Sequence, residues 1–502
     1  MSTLSIRSKQ ILYGSLIVGI FALMVPYGSW LQRQKAERDL GEATVGQVDT
    51  GSFMLKLAMI GGARGVVANA LWMQAQELQR LQEWDLLKTK VDFITKLQPH
   101  FLSIWTFQGW NLAYNVSVEW DDPADKYVWI KNGINFLRDG VENNPKSPDL
   151  VWDTAWTYYH KLGFADEAII LRQLFHDDED EAFQTDPIDN RSYDDNFKVA
   201  RGWFELAVDK ADEYQRLATE LEAPVEFVDP VENRKGRPGD LAFRTMPAHA
   251  QTRYAAALEK RSKVAVPAQF GEKARREWEL AEDEWLTFGE YEFRSPNALR
   301  IQGELVAQPI RIGDVLDPEL ITRLKANTQE WADLLSRYED KDIREVTPEE
   351  AENLTDNKMA WTTRWADQNN FRYWVERCRA EMQPDGVRAR QLFYEGYLAY
   401  LNADFPKAAD LYLEGLQLWE SLLEDYPTYR NDDLNRKDTG QTVVRYAEAL
   451  RQAGREVDPE QIPFGELIQE AELDPMLDPF DALDMLGPLG DEPAAAPEPT
   501  TD

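Results

Sequence analysis

The sequence predicts an all-α protein: one apolar N-terminal span followed by a long, acidic helical body. Three observations carry this. Residues 11–30 contain no charged side chain. Beyond them, apolar residues recur at helical rather than alternating spacing. The periodic runs are short and end repeatedly at proline, glycine or asparagine, which stop helices. Hydrophobic residues make up 43% of the 502, enough to build several packed cores.

The first element is the span. About 20 apolar residues at about 1.5 Å rise cross a hydrocarbon core. Residues 10–31 therefore read as a transmembrane anchor behind a basic leader, residues 1–9. Tyr13, Tyr27 and Trp30 stand near its ends, where amphipathic rings favour the headgroup region. Arg7 and Lys9 precede it, while Arg33, Lys35 and Arg38 follow. The short basic leader favours a cytoplasmic N-terminus and an extracytoplasmic body. A cleaved signal peptide is the competing reading. Against it, Tyr27-Gly28-Ser29 places a large aromatic where a cleavage site needs a small side chain.

Residues 32–52 are Gly-rich and polar, a juxtamembrane linker. Residues 53–81 read as a helix with small residues at Ala58, Gly61, Gly62, Ala63, Gly65 and Ala68, which admit close approach of a neighbour. Gly61 to Gly65 lacks the Gly-Lys-Ser/Thr ending of a phosphate loop. Trp84, Leu87, Val91 and Ile94 share a helical face, and Pro99 stops that helix. A second helix starts near Phe101 and a third spans 127–142, after the capping residues Asp121 and Asp122. A fourth spans 149–162, ended by Gly163. Together, residues 53–175 form a domain of helical hairpins. Residues 176–195 are an acidic loop. Residues 224–240 hold Pro230, Pro238 and basic Asn233 to Arg237, a long exposed connection. Within 301–385, residues 318–380 read as a long helical pair broken around 339–350. The tail, 456–502, should be disordered, because from Glu466 it has many prolines and no Lys or Arg.

Pro99, Trp105 and Gly109 have the spacing between the terminal proline of one tetratricopeptide (TPR) repeat and the Trp and Gly of the next. In residues 386–455, Gly396, Ala408 and Tyr412 fall where that repeat has Gly, Ala and an aromatic. There Phe405, Ala408, Ala409, Tyr412, Leu416, Trp419, Leu423 and Tyr426 form one stripe. Between these units, residues 196–300 carry degenerate repeats without a clean register. The chain thus resembles TPR-like helical-repeat proteins over about a third of its length. Its layout is also similar to membrane-anchored helical-repeat proteins of planctomycete-type bacteria. The resemblance implies an α-solenoid with long helical insertions, offering extended surface for proteins. It implies no activity.

Net charge is −34, which disfavours nucleic acid and anionic lipid as partners of the body. Cys378, the one cysteine, reads as a buried thiol and excludes an intramolecular disulfide and Cys-based metal clusters. Asp177, Asp178, Glu179 and Asp180 offer oxygen ligands but lack the order of a calcium loop, so they read as a solvated acidic loop. His100, His160, His176 and His249 form no metal-binding pair and read as cap or surface residues. Glu119, Asp121 and Asp122 beside Trp120 make the patch most like a sugar site, although a capped loop explains them better. No catalytic, cofactor or metal residue is assigned. In the tail, Met476, Phe480, Leu483 and Leu486 are spaced among acids like the apolar face of a groove-binding helix.

The sequence reading is therefore a non-enzymatic, membrane-anchored scaffold that holds protein partners in an envelope complex. Its rivals are a glycan-processing envelope enzyme with an acidic and aromatic groove, and a cytoplasm-facing accessory subunit of a transporter.

Overall fold

The computed structural model describes residues 63–220, 240–259 and 268–468. The leader, the anchor at 10–31, the linker, the basic stretch at 233–237 and the tail residues Met476, Phe480, Leu483 and Leu486 lie outside the described residues. Among the described residues, no helix is long and apolar enough to cross a membrane. The structure is mostly helical, as composition and periodicity require, and divides into two compact units after Thr157.

In the first unit, helix α1 (Ala63–Arg80) packs against α2 (Trp84–Leu97). Leu87, Val91 and Ile94 are fully buried along α2, the face that the spacing marks. After Pro99 the chain turns into α3 (Leu102–Trp110). The Trp105 indole N–H donates to the Pro99 carbonyl at 2.8 Å, and the Asn144 amide donates to the same oxygen at 2.9 Å. Helix α3 runs on as a π-helical segment (Asn111–Val116) and a 3₁₀ turn (Ser117–Glu119). Both lean on α4 (Pro123–Asn143), which is followed by α5 (Pro148–Trp156). Asp122 starts α4: its carboxylate accepts from Ala124 N at 2.8 Å, and Pro123 follows where a missing N–H costs nothing. Gly133 lets α4 approach α3. A Cβ there would meet the Gly109 carbonyl oxygen at 2.7 Å and Ala113 N at 2.9 Å, both backbone atoms that cannot swing away.

The second unit contains α6 (Ala168–His176), α7 (Asn196–Glu220), α8 (Asp240–Arg244), α9 (Met246–Leu258) and α10 (Glu272–Glu290). Charged pairs tie α7 to α9 and α10. Lys198 Nζ donates to Gln251 at 2.9 Å and to Glu277 at 3.2 Å, and Arg201 pairs with Glu284. After four short strands come α11 (Leu320–Ala326), α12 (Thr328–Glu339), α13 (Pro348–Gln368) and α14 (Phe371–Glu381). The hairpin α15 (Pro384–Leu401) and α16 (Phe405–Leu423) is followed by α17 (Pro427–Asn431) and α18 (Asp433–Gln452). Ala408, Ala409, Tyr412, Leu416, Trp419 and Leu423 are all buried on α16. Gly396 on α15 faces the Tyr412 ring, which a Cβ would meet at 3.2 Å.

Residues 456–468, read as the start of a disordered tail, instead form two 3₁₀ turns (Pro459–Gln461 and Gly465–Ile468) and bury Ile462, Phe464 and Leu467. Three further details differ from the sequence expectations. First, the body is not purely helical. Strands β1 (Glu292–Arg294) and β4 (Pro309–Arg311) pair antiparallel, as do β2 (Leu299–Ile301) and β3 (Glu304–Val306). The β2–β3 turn is Gln302-Gly303, both at positive φ, a conformation that glycine supplies without strain. Second, residues 318–380 form four helices, α11 to α14, rather than one long pair. The break between α12 and α13 falls where expected, after Asp340 takes a left-handed conformation. Third, His249 is neither a cap nor a surface residue. It is buried edge-on between Trp285 and Trp374, with ring centroids at 4.7 and 5.1 Å.

Candidate functional site

Two places concentrate side chains capable of chemistry. The first is the interior of the second unit. Arg390 donates to both oxygens of Glu259 at 2.6 and 2.8 Å, to the Glu381 backbone carbonyl at 2.8 Å, and pairs with the Glu381 carboxylate. The Tyr429 hydroxyl donates to Glu381 at 2.7 Å. Arg377 lies 3.5 Å from the same carboxylate and donates to the Tyr373 hydroxyl at 3.3 Å. All these side chains are buried, with the Trp278 and Trp374 rings beside the guanidinium groups. Burial pushes the Tyr429 hydroxyl well above its ordinary range, and Glu381 beside it adds to the shift. Burial alone would lower Arg390's affinity for its proton, but Glu259 and Glu381 more than offset this. The network therefore places two cations against two carboxylates in the dark of the core. Such an arrangement fixes the geometry of the helices that supply it; it presents no group to a substrate.

The neighbouring core is equally closed. Burial pushes the Cys378 thiol up, so it is inert as a nucleophile. Burial brings His249 down to about 3, with Arg253 nearby acting in the same direction. His160 falls to about 4, also through burial. His100 is exposed and bonds Asn144 at 2.9 Å, while His176 touches Asp194 at 3.1 Å.

The acidic loop consumes its own carboxylates. Asp178 accepts from Asp180 N, Asp180 from Phe183 N, Asp186 from Ile188 N, and Asp189 from Arg191 N. Among the described residues, no group of three or more His, Cys, Asp or Glu side chains is arranged to hold a metal ion. Asp186, which sequence reading passed over, is buried against Gly202, and burial pushes its carboxyl upward. It closes the loop onto α7.

The second place is the surface of the first unit around the 3₁₀ turn. Glu119 stands exposed rather than in a pocket, and its carboxylate accepts from the Gln82 amide at 3.0 Å. Trp120 is 43% exposed and stacks on Trp129 with centroids 6.4 Å apart and planes 24° from parallel. Val118 and Val128 are more than half exposed. Asp121, Asp122 and Asp125 are exposed beside them. Of the sequence candidates, Glu119, Trp120, Asp121 and Asp122 thus come together here, with Asp122 occupied as the cap of α4. Val118, Val128 and Trp129 were missed. The signal for Val128 lay in α4 itself, where Tyr127 and Ile130 take the buried face and leave Val128 outside.

No protein-family model and no curated protein sequence matches this chain.

Proposed function

We propose that this chain is a helical-repeat scaffold that binds partner proteins, tethered to a membrane by residues 10–31 with its body on the extracytoplasmic side. One contrast carries the reading. The buried acids and bases of the second unit are bound to one another in the core, whereas the first unit leaves Val118, Trp120 and Val128 in solvent. Contiguous exposed apolar surface marks sites that contact proteins, membranes or ligands. The hairpins α3–α4 and α15–α16, closed through Gly133 and Gly396, support the TPR-like resemblance and its role in presenting surface. Met476, Phe480, Leu483 and Leu486 supply a second, linear binding element in this proposal. The glycan-processing alternative draws no support from Glu119, whose carboxylate stands on an open turn.

Crosslinking in native membranes followed by mass spectrometry tests the scaffold. The expected result is defined protein adducts on the first unit. Recovery of a partner-free monomer overturns it. Tagging both termini and treating sealed cells with protease tests the topology: the C-terminal tag should be cleaved and the N-terminal tag protected.

A further inference from the structure

We infer that the exposed surface formed by Val118, Trp120, Val128 and Trp129 docks a short amphipathic segment of a partner protein, apolar on one side and rich in Lys or Arg on the other. This rests on the scaffold reading and names the chemistry of its partner. The apolar part is direct: Val118 and Val128 are 58% and 54% exposed, and Trp120 offers the ring face not stacked on Trp129. Trp120, 43% exposed, has less than half of the about 150–250 Å² that a tryptophan buries left to remove from water. On α4, Asp125 lies three and four residues before Val128 and Trp129, so it borders the same face.

The rim decides the occupant. Glu119, Asp121, Asp122 and Asp125 are exposed carboxylates, against the single cation Lys126 in residues 117–130. Carboxylates only accept hydrogen bonds. The Gln82 amide, a donor near the turn, is engaged by Glu119. The rim is rich in anionic acceptors, and a cation complements their charge as a neutral glycan does not. A cationic side chain satisfies carboxylates and also the free face of Trp120. Anionic lipid is repelled. A second copy of the chain in a two-fold contact would set carboxylate against carboxylate. The chain's own tail is acidic and has no Lys or Arg from Glu466 onward, so it meets the same repulsion.

The test uses the purified full chain and two labelled synthetic peptides. One carries Leu at helical spacing with Lys elsewhere; the other has Glu in place of every Lys. The Lys peptide should bind, weaken as salt rises, and lose at least about tenfold in affinity with Trp120→Ser, the loss expected of a central aromatic anchor. Charge reversal, Asp121→Lys with Asp125→Lys, alters exposed residues only and should weaken the Lys peptide while admitting the Glu peptide. Leu401→Ser, an exposed apolar change in the other unit, should have no effect. Equal binding to Trp120→Ser and the parent, or equal binding of the two peptides, overturns the inference. So does retention of a cell-wall oligosaccharide at Trp120 in place of the Lys peptide. Membrane crosslinking of Trp120→Ser separates the two proposals. Adducts that persist unchanged leave the scaffold standing and remove this surface from it, whereas no adducts even in the parent chain remove the scaffold itself.

Discussion

Replacing Arg390 with methionine should destabilise the second unit severely, and the loss should shrink as pH falls. Arg390 is the hub of the buried network: it is bidentate to Glu259 and paired with Glu381, all three nearly fully buried. Methionine fills much of the volume but leaves the two carboxylates without their shared cation. Breaking a buried pair in this way costs about 3–5 kcal/mol. With a urea dependence of about 3 kcal/mol per molar for a unit of this size, the midpoint should drop by about 1–2 M. The sign of the pH effect follows from the carboxylates. Burial already pushes Glu259 upward in the parent chain, and removing Arg390 removes the main opposing influence. A carboxyl whose folded pKa exceeds its unfolded value of about 4.3 binds more protons when folded, so stability rises as pH falls toward that value. The deficit of Arg390→Met should therefore be larger at pH 8 than at pH 5. Urea melts at the two pH values, followed by the emission of the tryptophans beside the network, measure both effects. A cost below about 1 kcal/mol at neutral pH, or a deficit that grows on acidification, refutes the view that this network is a structural clamp.

Other substitutions probe the remaining links. Gly133→Ala should cost about 1–3 kcal/mol in the first unit, since its new methyl meets backbone, and Gly396→Ala less, since the Tyr412 ring can shift; thermal melts of both variants rank them. His249, brought to about 3 by burial against an unfolded value near 6.5, makes the unfolded chain the stronger proton binder between those values. Stability should therefore fall by up to about 1.4 kcal/mol per pH unit from its contribution as pH drops from about 6 toward 3. His249→Phe, which keeps an aromatic between Trp285 and Trp374, should flatten that part of the stability–pH profile measured by urea melts.

The parts legible in the sequence are those that depend on neighbours along the chain. Leu87, Val91 and Ile94 bury because a helix places them on one face, and Asp122 caps α4 because it directly precedes Pro123. The hairpin at Leu299 to Val306 was not legible: Leu299-Arg300-Ile301 alternates, Glu304-Leu305-Val306 does not, and Gln302-Gly303 is its one turn signal. The ion network was not legible. Arg377 and Glu381 are one helical turn apart, yet Glu259 lies 131 residues before Arg390, and nothing local distinguishes it from other glutamates in so acidic a chain. His249 belongs with these non-local facts: only the positions of Trp285 and Trp374 decide that its imidazole is enclosed.

The surface around Trp120 shows how a single non-local bond changes the chemistry inferred from one set of residues. A tryptophan among Glu119, Asp121 and Asp122 reads along the chain as a sugar platform with acids beside it. The folded arrangement adds two facts. Trp129, on α4, stacks against one face of the indole. Gln82, from the turn between α1 and α2, spends its amide on Glu119. The first leaves one ring face for a ligand, and the second engages one of the two N–H groups of a neutral donor at the rim. What remains is a half-exposed indole, two exposed valines and carboxylates that only accept. A polyol can donate to these carboxylates, but it brings no charge to meet theirs. A lysine or arginine on an apolar helix matches each part of the surface: methylene stem against valine, cation against indole, N–H groups against carboxylate. Charge and hydrogen-bond capacity at this surface, rather than residue names, thus set the ligand class, and the affinity of Trp120→Ser for the Lys peptide measures the indole's share.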